Sequence, residues 1–311
     1  MKTGFLFEDA PFPSAHASTI ADGGRGLVAA WFGGTREKHR DVGIWVSRRV
    51  EGAWTAPVEV ADGVQSRWRR HPCWNPVLFQ PAEGPLLLYY KVGPSPSRWW
   101  GLVMESADGG ATWSAPRRLP RDILGPIKNK PVELADGTWL SPSSSEHAGW
   151  RVHLERSRDR GATWEIIGPL NSRREFAAIQ PAILDLGGGR LQILSRSRQG
   201  VITVCRSDDS GETWSPMRPS DLPNPDSGID AVMLRDGRAL LVYNRSNRDR
   251  SPLSIAVSRD GAVWEDKLPL EEAAGEFSYP AVIQDGSGRV QVTYTWNRRR
   301  IKHVEIDPEE L

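Results

Sequence analysis

The sequence predicts an all-β fold, a six-bladed β-propeller of four-stranded antiparallel sheets. Three observations predict it. A box of the form Ser-x-Asp-x-Gly-x-Thr-Trp recurs as Ser106–Trp113, Ser157–Trp164 and Ser207–Trp214, with a shorter copy at Ser258–Trp264 and a worn one from Ser47 to Trp54. A second series of short apolar runs follows a polar residue at His16, Asn75, Lys130, Gln180, Asp230 and Tyr279, in steps of 59, 55, 50, 50 and 49 residues. Between the two series lie alternating, β-branched runs such as VGIWVS, VITVCR and LSIAVS, the pattern of strands. Four strands repeated about every 50 residues make the unit of a propeller.

Within each unit the first apolar run is the inner strand. A glycine-bearing turn such as ADGTW or RDGRA leads to a second apolar run (LVAAW, LLLYY, LQILS or LLVYN), and a loop leads to the alternating third strand. The box then turns the chain into a weaker fourth strand. Its Asp accepts backbone N–H bonds, its Gly permits positive φ, and its Trp packs between neighbouring sheets, so its role is structural. The sixth unit ends at IKHVEI without a fourth strand, and GFLFED (4–9) has no partner of its own. The N-terminal strand is expected to close the ring there and remove two open edges. No linker or change of composition interrupts the chain, so residues 1–311 read as a single propeller domain.

Composition excludes several functions. Forty Lys plus Arg against thirty-nine Asp plus Glu leave a net charge of +1, not the basic footprint of a nucleic-acid binder. No apolar stretch is long enough to cross a bilayer. Two cysteines, Cys73 and Cys205, and an N-terminus without signal-peptide character point to the cytoplasm. No phosphate loop, dinucleotide fingerprint or metal-ligand spacing occurs, so neither cofactor nor metal is expected. Oligomeric state is not encoded in any pattern of the chain.

Strand parity locates the site. The inner strands begin at one end of the central channel, so His16, Asn75, Lys130, Gln180, Asp230 and Tyr279 are expected to converge there. Six different polar groups at equivalent positions are what a ligand site contributes. The loops between second and third strands reach the same face and bring Arg36, Glu37, Asp41, Glu146, Arg196, Arg198, Arg250 and several tryptophans. Arginine forks bind carboxylates at two points, and aromatic faces suit sugar rings.

The boxes and the runs WFGGTREKHRDVGIWVSRR, CWNPVLF, GPIKNKPV and GEFSYPAVIQ resemble those of sialidases and bacterial sialidase-like (BNR-repeat) proteins, over essentially the whole chain. The resemblance implies the same six-bladed fold, a Tyr nucleophile paired with a Glu, three arginines on the substrate carboxylate, and an Asp acid/base. It assigns Tyr279 to the nucleophile, Arg196 to the second arginine and Arg250 to the third. It also exposes departures. His16 in AHASTI stands where the first arginine belongs, and Gln180 stands where the activating Glu belongs. No Asp fills the acid/base place near Arg36 and Glu37, so Glu37 or Asp41 would have to substitute.

Three functions follow. The first is a glycoside hydrolase, exo-acting on a bond to an acidic, carboxylated sugar. Tyr279, Glu37, His16 and Asp41 are its candidate catalytic residues. Arg196, Arg250, Lys130, Gln180, Asn75, Asp230 and Glu146 would bind substrate. The second is a uronate lyase, in which a neutralised carboxylate acidifies the adjacent C–H bond and His16 and Tyr279 move the proton. The third is a sugar-binding propeller without catalysis. In each the partner is an acidic sugar or glycoside, with no nucleic acid and no membrane.

Overall fold

The computed structural model describes residues 1–172 and 174–311, and these form six antiparallel sheets arranged as propeller blades. The inner strands are Ser14–Asp22, Cys73–Phe79, Val132–Glu133, Ala178–Asp185, Asp230–Met233 and Phe277–Gln284. Each pairs outward with a second and third strand, as in Leu191–Ser197 and Val201–Ser207 of blade four, and blades two to five end in a fourth such as Arg218–Pro223. Blade one carries both Ala53–Trp54 and Val58–Ala61 on its third strand, making five strands where four were expected.

The ring closes through the N-terminus, but earlier than the sequence pattern indicated. Lys2–Phe5 pairs with Arg300–Ile306, Lys2 opposite Glu305 and Phe5 opposite Lys302. Leu6 and Phe7 are both buried. Leu6 N still donates to Ile301 O at 3.0 Å. Phe7 stacks on Trp31 with centroids 5.0 Å apart.

The boxes behave as structural turns. Asp159 accepts from Thr163 N at 2.8 Å and from the Thr163 hydroxyl at 2.6 Å, while Ser157 Oγ accepts from Gly161 N at 2.7 Å. These turns sit beside the turns that follow the inner strands; Ser210 N, for example, donates to Gly189 O at 2.8 Å. The boxes therefore lie at the end opposite to where the inner strands begin. Both cysteines are buried and unpaired.

Candidate active site at the mouth of the central channel

Four inner strands begin with a β-bulge. In blade four, Ile179 pairs with Arg196 and Ala182 with Leu194, so Gln180 and Pro181 oppose the single residue Ser195. The same two-against-one step occurs at Asn75–Pro76, Tyr279–Pro280 and Ala17–Ser18. Proline cannot donate to the ladder, which suits it to a bulge. The first bulged residue takes a left-handed conformation: φ is 56° at Ala17, 30° at Asn75, 55° at Gln180 and 53° at Tyr279. For a side chain with a Cβ this costs about 1–2 kcal/mol, and a bulge re-aims the side chain it carries. Blade one is thereby out of step by one residue with the sequence series. Ala17, not His16, occupies the position of Asn75, Gln180 and Tyr279, and His16 precedes the bulge.

The bulges bring Gln180 of blade four and Tyr279 of blade six together across the channel. Gln180 Nε2 donates to the Tyr279 oxygen at 3.2 Å, and Arg196 Nη1 donates to the same oxygen at 2.8 Å and to Gln180 Oε1 at 3.1 Å. Arg196 is buried and lies over Trp150, 5.0 Å from the ring centroid. Its Nε donates to Asp226 Oδ1 at 3.0 Å and its Nη2 to Asp226 O at 2.6 Å and to Asp226 Oδ1. All five of its N–H groups are occupied, so a ligand carboxylate arriving at Arg196 must displace Gln180 or the tyrosine oxygen.

His16 completes this cluster. Its ring lies 4.3 Å from that of Tyr279, and its Nδ1 is 3.0 Å from Thr295 Oγ1. Burial first, then Arg298, Arg250, Arg196 and Lys128, hold its pKa well below the ordinary value, so the imidazole is neutral at pH 7. Three arginines and Lys128 thus surround the histidine and the tyrosine.

Arg250 lies 5.9 Å from the Tyr279 ring centroid and donates to Glu276 at 2.7 Å. Arg298 donates to the same Glu276 oxygen at 2.7 Å and to Glu37. Burial opposes the charge of Glu276, but Arg298 and Arg250 outweigh it and keep the carboxyl below its usual range.

Other residues singled out in the sequence are engaged elsewhere. Lys130 Nζ reaches both oxygens of Asp230, at 3.1 and 3.0 Å, and Ala231 O at 3.1 Å. Asp230 also accepts from Val282 N at 2.8 Å. This partly buried pair ties blades three, five and six together. Asn75 is buried at its bulge. Glu37 is paired with Arg298. Asp41 accepts from Thr35 N at 3.1 Å and from the Thr35 hydroxyl at 2.5 Å, and His39 Nδ1 lies 2.7 Å away. Burial works against its charge, yet the Thr35 and His39 bonds bring its pKa down to about 2. It is ionised at neutral pH. Glu146 behaves in the opposite way. Burial raises its pKa despite Arg196, a hydrogen bond with Trp150, and Arg198.

Sequence reasoning missed four members of the site. Asp226 and Glu276 lie in loops outside the repeat, and Arg298 sits in a basic run where nothing set it apart. Lys128 was hidden beside Lys130 in GPIKNKPV; its Nζ donates to Ile229 O at 2.7 Å, Asn129 Oδ1 at 2.8 Å and Pro280 O. Burial lowers its pKa to about 7.

Fold and site together define a sialidase-like propeller. The family model of the BNR repeat-like domain matches residues 24–292, and the chain belongs to that family. It is similar to a sialidase of Bacteroides fragilis, 25% identical over 199 residues, 55% of this chain and 35% of that protein. The match thus spans about a third of that relative's length. Among solved structures, the Hadza microbial sialidase Hz136 superposes with a TM-score of 0.81 at 17% identity, covering 96% of this chain and 66% of that one. A Dyadobacter fermentans protein of unknown function superposes with a TM-score of 0.80 at 17% identity over 97% of both chains.

Proposed function

We propose that this protein is a glycoside hydrolase that releases a carboxylated sugar from the end of a glycan at the mouth of the central channel. The observation that carries this reading is the convergence of Arg196, Arg250, Arg298 and Lys128 on His16 and Tyr279. The arginines supply a positive field for a carboxylate. Arg250 retains N–H groups beyond the one given to Glu276 and is the best placed to make a two-point contact. The Tyr279 oxygen, held by Arg196 and Gln180, would attack or stabilise the anomeric carbon. Gln180 donates to that oxygen and cannot take its proton, so neutral His16 is the neighbouring base. The relatives named as sialidases support an acidic sugar as substrate.

A second reading, a uronate lyase, is favoured by the same neutral His16 packed on Tyr279, since a base and an acid beside a neutralised carboxylate suit β-elimination. One experiment separates the two. Carboxylated glycosides are incubated with the protein while reducing sugar and the ultraviolet absorbance of unsaturated uronate are followed together. Hydrolysis releases reducing sugar with no new absorbance. Rising absorbance would replace hydrolase with lyase, and no cleavage of any acidic glycoside would sink both.

A further inference from the structure

The loop that follows the second strand of blade three has two faces. Ser144, at its base, accepts from Gln180 N at 3.1 Å, which ties the loop to the bulge of the central site. Glu146 follows in the same loop, which ends at Trp150, where Arg196 and Arg198 lie 5.0 and 4.1 Å from the ring centroid. Around Glu146, Ser145, His147 and Ala148 line a different space, a cavity of about 850 Å³ between blades two and three. That volume is in the range of a small-molecule site. Trp99 and Trp100 form part of its wall, and the Arg118 guanidinium lies 4.9 Å from the Trp100 ring centroid. A run of aromatic contacts leads there from the centre: His16 to Phe32 at 5.4 Å, Phe32 to Trp74 at 6.5 Å, and Trp74 to Trp99 at 5.8 Å.

We propose that this cavity is the leaving-group subsite, holding the neutral sugars from which the acidic sugar is cut, and that Glu146 at its threshold is the proton donor to the departing oxygen. The inference rests on the hydrolase reading. Its geometry is a single loop tied at Ser144 to the bulge of the central site and lining the aromatic-walled cavity with Ser145, His147 and Ala148, with Glu146 in the stretch that joins the two. The other carboxyls near the centre are committed: Asp226 to Arg196, Glu276 to Arg250 and Arg298, Glu37 to Arg298, and Asp230 to Lys130. Burial keeps Glu146 readier than an ordinary carboxyl to hold a proton. As the bond from the anomeric carbon to the leaving oxygen breaks, its electron pair goes to that oxygen, which takes the proton of Glu146. The water that completes hydrolysis gives its hydroxyl to the anomeric carbon and its proton back to Glu146.

The test uses two glycosides of the same acidic sugar, one with a 4-nitrophenyl leaving group, which departs without protonation, and one with lactose. Glu146→Gln is expected to lower kcat/KM on the lactosyl glycoside by about 100-fold or more and on the 4-nitrophenyl glycoside by only a few-fold. Equal losses on both would mean that Glu146 merely positions Arg196, and would overturn its role as acid. Ala148→Trp, a substitution at an exposed position that fills the cavity, is expected to raise KM about 10-fold for the lactosyl glycoside alone. Binding of lactose itself, measured by calorimetry, tests the cavity independently of turnover. Binding to the unmodified protein that is lost in Ala148→Trp supports the subsite even if the hydrolase reading fails. Absence of binding, or equal binding to both proteins, overturns it.

Discussion

Replacing Arg250 with Met separates ligand recognition from stability more cleanly than any other change at the site. Arg250 gives one ion pair to Glu276, and the two side chains are 24% and 34% exposed. After the replacement, Glu276 still holds Arg298 at 2.7 Å and Ser278 Oγ at 3.3 Å, so no carboxylate is stranded. A partly exposed pair of this kind contributes under about 1 kcal/mol, and the methionine side chain keeps most of the aliphatic packing. Recognition is affected more strongly. A guanidinium–carboxylate contact with a bound ligand contributes about 1.5–3 kcal/mol, so the loss is about 10- to 150-fold in Kd. The assay is calorimetric titration of unmodified protein and Arg250→Met with a carboxylated sugar and with its neutral methyl ester. The acid is expected to weaken by that factor while the ester, already weak, changes little. An unchanged Kd for the acid would refute the carboxylate assignment, and an equal loss for acid and ester would show that Arg250 acts by shape and not by charge.

Further expectations follow from the same geometry. Arg196→Met, by contrast, should lower both Tm and affinity, because Tyr279 and Gln180 lose their shared donor; thermal melts beside the titration check this. Gln180→Glu should leave binding within a few-fold and add little hydrolysis, since His16 still stands in the first arginine's place; a large gain in kcat would contradict this. His303 is buried, and burial, then Arg49, lowers its pKa to about 4. Because the folded value lies below the unfolded 6.5, its contribution to stability is complete above pH 6.5 and lost as pH falls toward 4. That amounts to roughly 3 kcal/mol at about 1.36 kcal/mol per pH unit. Denaturant unfolding at pH 7 and pH 4 should show a smaller difference in His303→Gln. Asp159→Ala, in a box at the opposite end of the ring, should lower Tm and leave ligand affinity unchanged, which paired melts and titrations would reveal.

The blades were legible because their signals are periodic. Asn75–Pro76, Gln180–Pro181 and Tyr279–Pro280 mark the starts of inner strands directly, and the proline in each also marks the bulge. Blade one has Ser18 where those blades have proline, so the pattern puts its register one residue early and makes His16, not Ala17, the equivalent of Tyr279. The pattern puts closure at residues 4–9, whereas the paired strand is Lys2–Phe5, with one further bond from Leu6 N to Ile301 O, and Phe7 is buried against Trp31. Arg196 and Arg250 could be placed by motif. Their carboxylate partners could not, because Asp226 and Glu276 sit in aperiodic loops. Asp226 owes its position to a tight turn in which Asn224 bonds Ser227 O at 3.0 Å and accepts from Ser227 N at 3.1 Å. Lys128 and Lys130 are two residues apart, and spacing alone picks the one that pairs with Asp230, while the other reaches the carbonyls around the axis.

Turnover of an acidic glycoside by Tyr279→Phe, compared with the unmodified protein, bears most directly on the proposed chemistry. The substitution removes one hydroxyl, the oxygen that Arg196 and Gln180 both hold, and leaves the ring against His16. The expected result is loss of turnover with the ligand's Kd within a few-fold of the original. Undiminished turnover in Tyr279→Phe would contradict the placement of the reaction at this tyrosine.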